Sequence, residues 1–340
     1  MNGEHMIRVG IAGCGYWGPN LVRNCVVNEH IELKRVCDLN PQRLGFIKQQ
    51  YPFMETTTRF EDLLGGDIDA VIIATPVQTH TALSRQALNA GKHVMVEKPF
   101  TTSVKEAEGL KALASRKKLV LMVDHVFLYT PAVQKIKEIV KRKQLGEIIY
   151  FDATRTNLGL FQRDANVLWD LASHDLSIMK FLLNKMPRHV SATGLSYFKN
   201  GLESIVYMTA FFDSHSIAHF HWSWLSPVKV RTILLGGDKK MVLYDDNEPS
   251  EKVKIYDKGV GATPSTSKQH DLFISYRSGD VVSPKLDNTE GLKQVCEDFA
   301  QSIMKHQTPL SGAEFSLDII RILEAAQQSL KKGGAKVKVG

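Results

Sequence analysis

The sequence has little cysteine and no long hydrophobic run. Its 340 residues include four cysteines, and none of them forms the C-x-x-C spacing of a zinc or redox motif. No apolar stretch approaches the ~20 residues of a membrane helix, and the first residues, MNGEHM, lack the features of a signal peptide. We therefore expect a reduced cytoplasmic protein that does not bind a membrane and whose thiols are structural, namely Cys14, Cys25, Cys37 and Cys296.

Several functional motifs are also missing from the sequence. It has no P-loop, no G-x-S-x-G nucleophile elbow and no basic stripe interleaved with aromatic residues. These absences argue against a nucleoside triphosphatase, a serine hydrolase and a nucleic-acid-binding protein. The net charge of +7 favours an anionic small-molecule substrate, such as a nucleotide-linked sugar.

The length predicts two domains, with a boundary near residue 125. Up to that point apolar strands alternate with helical segments, and several strands are apolar throughout. This pattern is typical of a parallel sheet with helices on both faces, so residues 1–125 are expected to form a doubly wound α/β domain. The predicted strands are IRVGIA, IELKRVCD, AVIIAT, HVMVEKP and LVLMVDH.

Residues 126–340 show a different pattern. Many segments alternate between apolar and polar residues, which predicts an α+β domain with a large, open, mostly antiparallel sheet. Helices are expected at Leu168–Leu183, Gly291–Lys305 and Ser316–Lys332. One face of the sheet would carry helices, and the other would contact a second subunit in a homodimer or homotetramer.

A glycine motif follows the first predicted strand. Gly13, Gly15 and Gly18 have the G-x-G-x-x-G spacing of a dinucleotide-binding loop, in which glycines allow a tight turn and close approach to a pyrophosphate. Asp38 ends the next strand, where a carboxylate binds both ribose hydroxyls and repels a 2′-phosphate. The motif predicts NAD as the cofactor, in preference to NADP. Asn40 and Arg43 lie close enough in sequence to alter this preference.

Two further strands end in polar residues. Thr75, Pro76 and His80 follow AVIIA, and Glu97 and Lys98 end HVMVEKP. Ligands of open α/β sheets bind at the carboxyl ends of the strands, so the first group is expected beside the nicotinamide and its ribose. A lysine held there, especially before a cis proline, would bind a substrate hydroxyl and stabilise charge on its oxygen.

The third group lies in the predicted helix LWDLASHDLSIMKFLL. Asp170 and His174 are four residues apart and share one helix face, whereas Asp175 points elsewhere. A carboxylate beside an imidazole orients the ring and stabilises its protonated form, as a general acid/base histidine requires.

These motifs in this order resemble the Gfo/Idh/MocA family of NAD(P)-dependent sugar and inositol oxidoreductases. The resemblance spans the chain and implies a Rossmann domain followed by an open-sheet domain. It implies that Lys98, Asp170 and His174 are catalytic, and these three residues are expected to bind substrate. Arg163 is a further substrate-binding candidate because of its position before the predicted helix, and no metal site is expected. The cofactor-binding residues implied by the motifs are Gly13, Gly15, Tyr16, Trp17, Gly18, Asp38, Thr75, Pro76, His80, Glu97 and Lys98.

Three segments remain open to more than one interpretation. Many members of the family carry a polar or basic pair where this chain has DHVFLY, residues 124–129, so substrate contacts cannot be assigned there. His219 and His221 share a strand face at a spacing that suits a metal, although sheet packing or a subunit contact is favoured. Arg155 and Arg163 flank a segment expected over the active site, where Arg163 would bind a phosphate or carboxylate or remain solvated.

The expected function is hydride transfer between nicotinamide and a secondary alcohol or ketone of a sugar. The sugar is expected to be nucleotide-linked and to belong to bacterial glycan or polysaccharide biosynthesis. Two alternatives follow from the same resemblance. One is an NAD-dependent glycosidase that oxidises its sugar transiently, and the other is a non-catalytic protein that senses a dinucleotide or sugar. Retention of all three catalytic residue types argues against the second alternative.

Overall fold

The computed structural model describes residues 6–159, 161, 165–198, 201–213, 215–264 and 272–340. The chain divides into two compact units, Met1–Thr130 with Thr289–Arg321, and Pro131–Asn288 with Ile322–Gly340. This division differs from a single boundary at residue 125, because a later segment returns to the first unit. The reason is packing: a helix from that segment lies against the first helix and against the 3₁₀ turn Val126–Tyr129.

The first unit is built on a six-stranded parallel sheet. Its strands are β1 (Ile7–Ala12), β2 (Ile31–Cys37), β3 (Glu55–Thr57), β4 (Ala70–Ile73), β5 (His93–Glu97) and β6 (Leu121–Asp124). They are ordered β3-β2-β1-β4-β5-β6, and every neighbouring pair is parallel. The predicted doubly wound fold is therefore confirmed, although the short strand β3 is absent from the sequence prediction.

Local capping explains where several helices of this unit begin. The helices are α1 (Gly18–Val26), α2 (Pro41–Gln50), α3 (Val77–Asn89), α4 (Val104–Lys117) and α7 (Gly291–Met304). Before α2, the Asn40 side chain accepts a hydrogen bond from the Gln42 amide. Pro41 lacks an N–H group, but the first N–H groups of a helix have no partner within the helix, so nothing is lost. Before α4, the hydroxyl of Ser103 accepts from the Glu106 amide. All residues of β4 and β6 are buried, as expected for central strands covered on both faces.

The second unit carries a nine-stranded sheet. Its order is β14-β13-β12-β11-β7-β10-β9-β8-β15, and all neighbouring pairs are antiparallel except β7 and β10. The expected open, mostly antiparallel sheet is confirmed. The strands are β7 (Ile148–Leu158), β8 (His189–Leu195), β9 (Ile205–Phe211), β10 (Ile217–Ser223), β11 (Leu225–Gly237), β12 (Met241–Asp245), β13 (Val253–Pro264), β14 (Leu272–Val282) and β15 (Val337–Lys338).

Helices α5 (Pro131–Lys141) and α6 (Val167–Leu183) belong to the second unit, and α6 packs on β7, β9 and β10. Helix α8 (Ala313–Lys331) contains the boundary between the two units. The three helices predicted in this half differ from the observed ones by at most three residues at either end. Within the described residues, no helix is both long and apolar enough to cross a membrane.

Candidate active site

The glycine loop follows β1 and depends on two close backbone contacts. Gly13 has a φ of +100°, and a Cβ atom at this position would lie 2.4 Å from the Ala74 carbonyl oxygen. A Cβ atom on Gly18 would lie 2.1 Å from the carbonyl oxygen of Gly13. Both positions therefore require glycine, one for the turn and one for the start of α1.

The loop borders a cavity of about 600 Å³. A Cβ atom at Gly15 would meet only the Arg43 guanidinium, at 3.8 Å, so the backbone there is open to a ligand. The loop, the helix start behind it and an acidic residue on the cavity wall fit the pyrophosphate and ribose of a dinucleotide. The residues that line the cavity include Gly13, Gly15, Tyr16, Asp38, Arg43, Thr75, Pro76 and Thr79.

Asp38 is buried at the end of β2 and organises this wall. Its Oδ2 accepts a hydrogen bond from the Cys14 amide at 2.6 Å, and its Oδ1 accepts from the Asn40 amide at 2.8 Å. The half-exposed guanidinium of Arg43 lies 3.5 Å from Oδ2. Burial and the charge of Asp38 raise the pKa of Cys14 to about 12, so this thiol is protonated and unreactive.

Thr75 and His80 have different environments after β4. The hydroxyls of Thr75 and Thr79 are 2.6 Å apart at the cavity edge. The His80 ring is buried, and its two nitrogens lie 2.8 Å from the Thr75 carbonyl oxygen and 3.0 Å from that of Pro99. Burial lowers the pKa of His80. The ring therefore joins the ends of β4 and β5, and any contact with a cofactor stays a prediction.

Lys98 directly follows β5, and its peptide bond to Pro99 is cis. Glu97 ends β5 in register with Asp124 at the end of β6. Asp124 is buried, whereas Glu97 is half-buried with its Oε1 atom inaccessible to solvent. Trp17 from the glycine loop donates a hydrogen bond from Nε1 to Asp124 Oδ2 at 3.2 Å. Asp124 was not predicted as a site residue. Its position at the end of a predicted strand, like that of Glu97 in the preceding strand, could have indicated it.

Asp170 and His174 lie on α6 in the second unit. Asn166 caps this helix by accepting from the Trp169 amide at 3.2 Å, which places Asp170 in the first turn. The indole Nε1 of Trp224 donates to Asp170 Oδ2 at 3.1 Å. This contact fixes the carboxylate, and no sequence pattern indicated that Trp224 would supply it.

The arginine and histidine candidates of the second unit lie elsewhere. Arg155 is buried in an ion pair with Asp175, at 2.7 Å between Nη2 and Oδ1. It therefore stabilises the interior of the second unit. Arg163 lies outside the described residues, and its role stays a prediction. His221 stacks on Tyr207 with ring centroids 4.3 Å apart. Both rings lie on the sheet face opposite to α6, which we call the outer sheet face, because the neighbouring Trp222 contacts α6. Across the described ranges, no group of three or more His, Cys, Asp or Glu residues could hold a metal.

Comparison with known proteins identifies the family. Residues 7–125 match the oxidoreductase family with an NAD-binding Rossmann fold, and residues 133–242 match the GFO/IDH/MocA C-terminal domain. The chain belongs to the GFO/IDH/MocA oxidoreductase family. The family and the glycine-loop geometry agree on NAD as the cofactor of the Rossmann domain.

Sequence similarity to family members with named activities extends over almost the whole chain. A UDP-N-acetylglucosamine 3-dehydrogenase from Acidithiobacillus ferrooxidans is 26% identical, with 89% of this chain and 90% of that protein covered. An NADP-dependent scyllo-inositol 2-dehydrogenase from Bacillus subtilis is 25% identical, with coverage of 96% and 94%. The crystal structure of GenD2 with NAD shares the fold, with a TM-score of 0.82, 20% identity and coverage of 99% and 97%.

Proposed function

We propose that this GFO/IDH/MocA protein is an NAD-dependent dehydrogenase or ketoreductase for a secondary alcohol of a nucleotide-linked sugar. The observation that carries the proposal is the Asp170 carboxylate, which Trp224 holds one helical turn before His174. A carboxylate fixed at this spacing is the arrangement that supports a general acid/base histidine. Nicotinamide, when bound, supplies the hydride acceptor or donor.

The proposed roles follow from the chemistry of each side chain. His174 takes the proton of the substrate hydroxyl during oxidation and returns it to the carbonyl oxygen during reduction. Asp170 orients the imidazole and stabilises its cationic form. Lys98 donates a hydrogen bond to the same substrate oxygen and stabilises the negative charge that develops there. Arg163 stays proposed as a contact to a substrate phosphate or carboxylate.

A row of aromatic rings supports a substrate with a planar or apolar face. The Trp224 ring contacts Phe161 with centroids 5.5 Å apart, and Phe161 contacts Phe198 at 4.8 Å. Tyr197 continues the row and is 65% exposed. Because the row begins at the partner of Asp170, we propose that it packs against the sugar and the attached nucleoside. The related UDP-N-acetylglucosamine 3-dehydrogenase acts on a substrate of this class.

Two further features concern assembly and compartment. The outer sheet face exposes Tyr207, Ile217 and Leu234, which supports a homodimer or homotetramer through the C-terminal sheet. Light scattering coupled to gel filtration tests this assembly, and a monomeric mass across the working concentration range contradicts it.

All four cysteines are buried and form no disulfide, which supports a cytoplasmic location.

The test is stoichiometric NADH formation with UDP-N-acetylglucosamine, related nucleotide sugars and the free sugars. We expect Lys98→Met, Asp170→Asn and His174→Ala each to reduce turnover by roughly 10²–10⁴-fold. Lys105→Met on α4 and His219→Ala on the outer sheet face are matched controls that keep turnover. Near-normal turnover in His174→Ala and Lys98→Met contradicts the proposed roles.

The same assay distinguishes the alternatives. Release of free sugar or aglycone without net NADH indicates a glycosidase that oxidises its substrate transiently. Dinucleotide binding without turnover on any substrate of the panel indicates a sensor. Equal turnover of the free and the nucleotide-linked sugar contradicts the nucleotide part of the proposal.

A further inference from the structure

Two buried carboxyl groups meet at the carboxyl edge of the parallel sheet. Glu97 and Asp124 are register partners at the ends of the neighbouring strands β5 and β6, so their carboxyl groups lie beside each other at this edge. Glu97 Oε2 accepts from the backbone amide of Lys98 at 3.2 Å. Asp124 Oδ2 accepts from the indole of Trp17 at 3.2 Å. Each carboxyl therefore binds a different element of the first unit.

The remaining oxygens of the pair need a proton. Glu97 Oε1 and Asp124 Oδ1 are buried and have no donor within hydrogen-bonding distance in the part of the chain that the structure describes. Two ionised carboxylates are acceptors only, so they cannot bond to each other, and their charges repel in a buried site. One proton removes the repulsion and supplies the donor.

Electrostatics agree with this count. Burial and the charge of Asp124 raise the pKa of Glu97 well above its ordinary range, and burial raises the pKa of Asp124. The charge of Lys98 opposes the rise at both carboxyls. Burial keeps His125 neutral by lowering its pKa. The contact with Cys25 and burial raise the pKa of Cys296 on α7, and the charge of Asp124 adds a smaller contribution.

We propose that Glu97 and Asp124 share a single proton and act as one acid pair that positions Trp17 of the glycine loop and the backbone at Lys98. Trp17 follows β1, and Asp124 ends β6, three strand positions away in the sheet order. The pair thus links the glycine loop to the end of β5, which the proposed catalytic residue Lys98 directly follows. This inference rests on the proposed function only through the role of Lys98, and the acid pair can be tested without any substrate.

The proton count is tested by carbon NMR on protein labelled with [δ-¹³C]glutamate. The resonance of Glu97 is assigned by its loss in Glu97→Gln. At neutral pH we expect it at the position of a protonated acid, and we expect Asp124→Asn to move it to the position of a carboxylate, because the repelling charge is gone. Asp287→Asn, at an exposed site, leaves it unchanged.

Two outcomes overturn the shared proton. Carboxylate resonances for both Glu97 and Asp124 in the unmodified protein, the second read with [γ-¹³C]aspartate and assigned by its loss in Asp124→Asn, show that no proton is held. A protonated resonance that persists in Asp124→Asn shows that burial alone holds it. Near-ultraviolet circular dichroism and NADH binding accompany each sample to show that the protein is folded.

The positioning role is tested by solvent exchange of the Trp17 indole proton, assigned with Trp17→Phe. We expect Asp124→Ala to accelerate exchange about tenfold, because a buried hydrogen bond is lost. Asp124→Asn keeps an acceptor oxygen and is expected to retain slow exchange. Unchanged exchange in Asp124→Ala overturns the positioning role, and neither result depends on whether the proposed sugar chemistry is correct.

Discussion

Arg155 and Asp175 form a bidentate ion pair in the interior of the second unit. The guanidinium donates from Nη2 to Oδ1 at 2.7 Å and from Nε to Oδ2 at 3.0 Å. Trp222 donates to the same carboxylate from Nε1 at 2.8 Å. Asp175 is adjacent to His174 in sequence, yet its bonds tie α6 to β7 and β10. Two nearby aspartates on one helix therefore have separable roles.

Asp175→Asn is expected to destabilise the protein by about 3–5 kcal/mol, because it leaves the buried Arg155 guanidinium without its counter-charge. Asp170→Asn is the matched control, and its partly exposed carboxylate should cost no more than about 1 kcal/mol. Chemical denaturation measures both free energies of unfolding. Equal losses in the two variants contradict the assignment of the ion pair to stability and of Asp170 to activity.

Gly13→Ala is expected to weaken NADH binding by at least about tenfold, because its Cβ atom would lie 2.4 Å from the Ala74 carbonyl oxygen at a φ of +100°. Gly45→Ala on α2 meets no atom within 4 Å and should stabilise its helix by up to about 1 kcal/mol without affecting the cofactor. Fluorescence titration with NADH and thermal unfolding check the pair. Unimpaired binding in Gly13→Ala shows that the loop can rearrange.

Asp38→Ala is expected to reduce the preference for NADH over NADPH by about tenfold or more, because it removes the charge that repels a 2′-phosphate. Arg43 lies 3.5 Å from this carboxylate and would then be available to a phosphate. The control Asp38→Ala/Arg43→Ala should lose the gain in NADPH affinity. Binding constants for both cofactors provide the measurement, and an unchanged ratio in Asp38→Ala places the selectivity elsewhere.

Because His125 is buried, we expect the protein to lose stability as the pH falls. Burial lowers its pKa to about 3, whereas the unfolded chain binds the proton near the ordinary value of about 6.5. Between these values the unfolded state binds more protons, so this contribution to stability falls as the pH falls below 6.5. At pH 5 the cost is about 2 kcal/mol.

The variant His125→Phe isolates this term, because it keeps a ring against Phe315, whose centroid lies 5.9 Å away, and cannot be protonated. The raised pKa values of Glu97 and Asp124 act in the opposite direction, but both proteins retain them. The difference in unfolding free energy between variant and parent should shift in favour of the variant by about 2 kcal/mol from pH 7.5 to pH 5. A difference that is independent of pH shows that His125 titrates normally.

Most of the first unit follows from local sequence. Strands such as AVII are apolar throughout because helices cover both faces, and Gly13 has a backbone conformation that side chains disfavour. The strand Leu272–Val282 was missed because its polar and apolar residues do not alternate clearly. The return of residues 289–321 to the first unit could not be predicted either, because α7 joins that unit through packing that has no local signal.

The sequence by itself determined the glycine loop, the acidic residue at the end of β2 and the helical spacing of Asp170 and His174, because each depends on backbone geometry or on periodicity over a few residues. Only the tertiary structure decided the partners of the charged groups. Asp170 meets Trp224, Asp175 meets Arg155, and Asp124 meets Glu97 and Trp17 across the sheet edge. These contacts join residues 20 to 107 positions apart, and buried charges select such partners through desolvation and hydrogen bonding, which no short sequence pattern records.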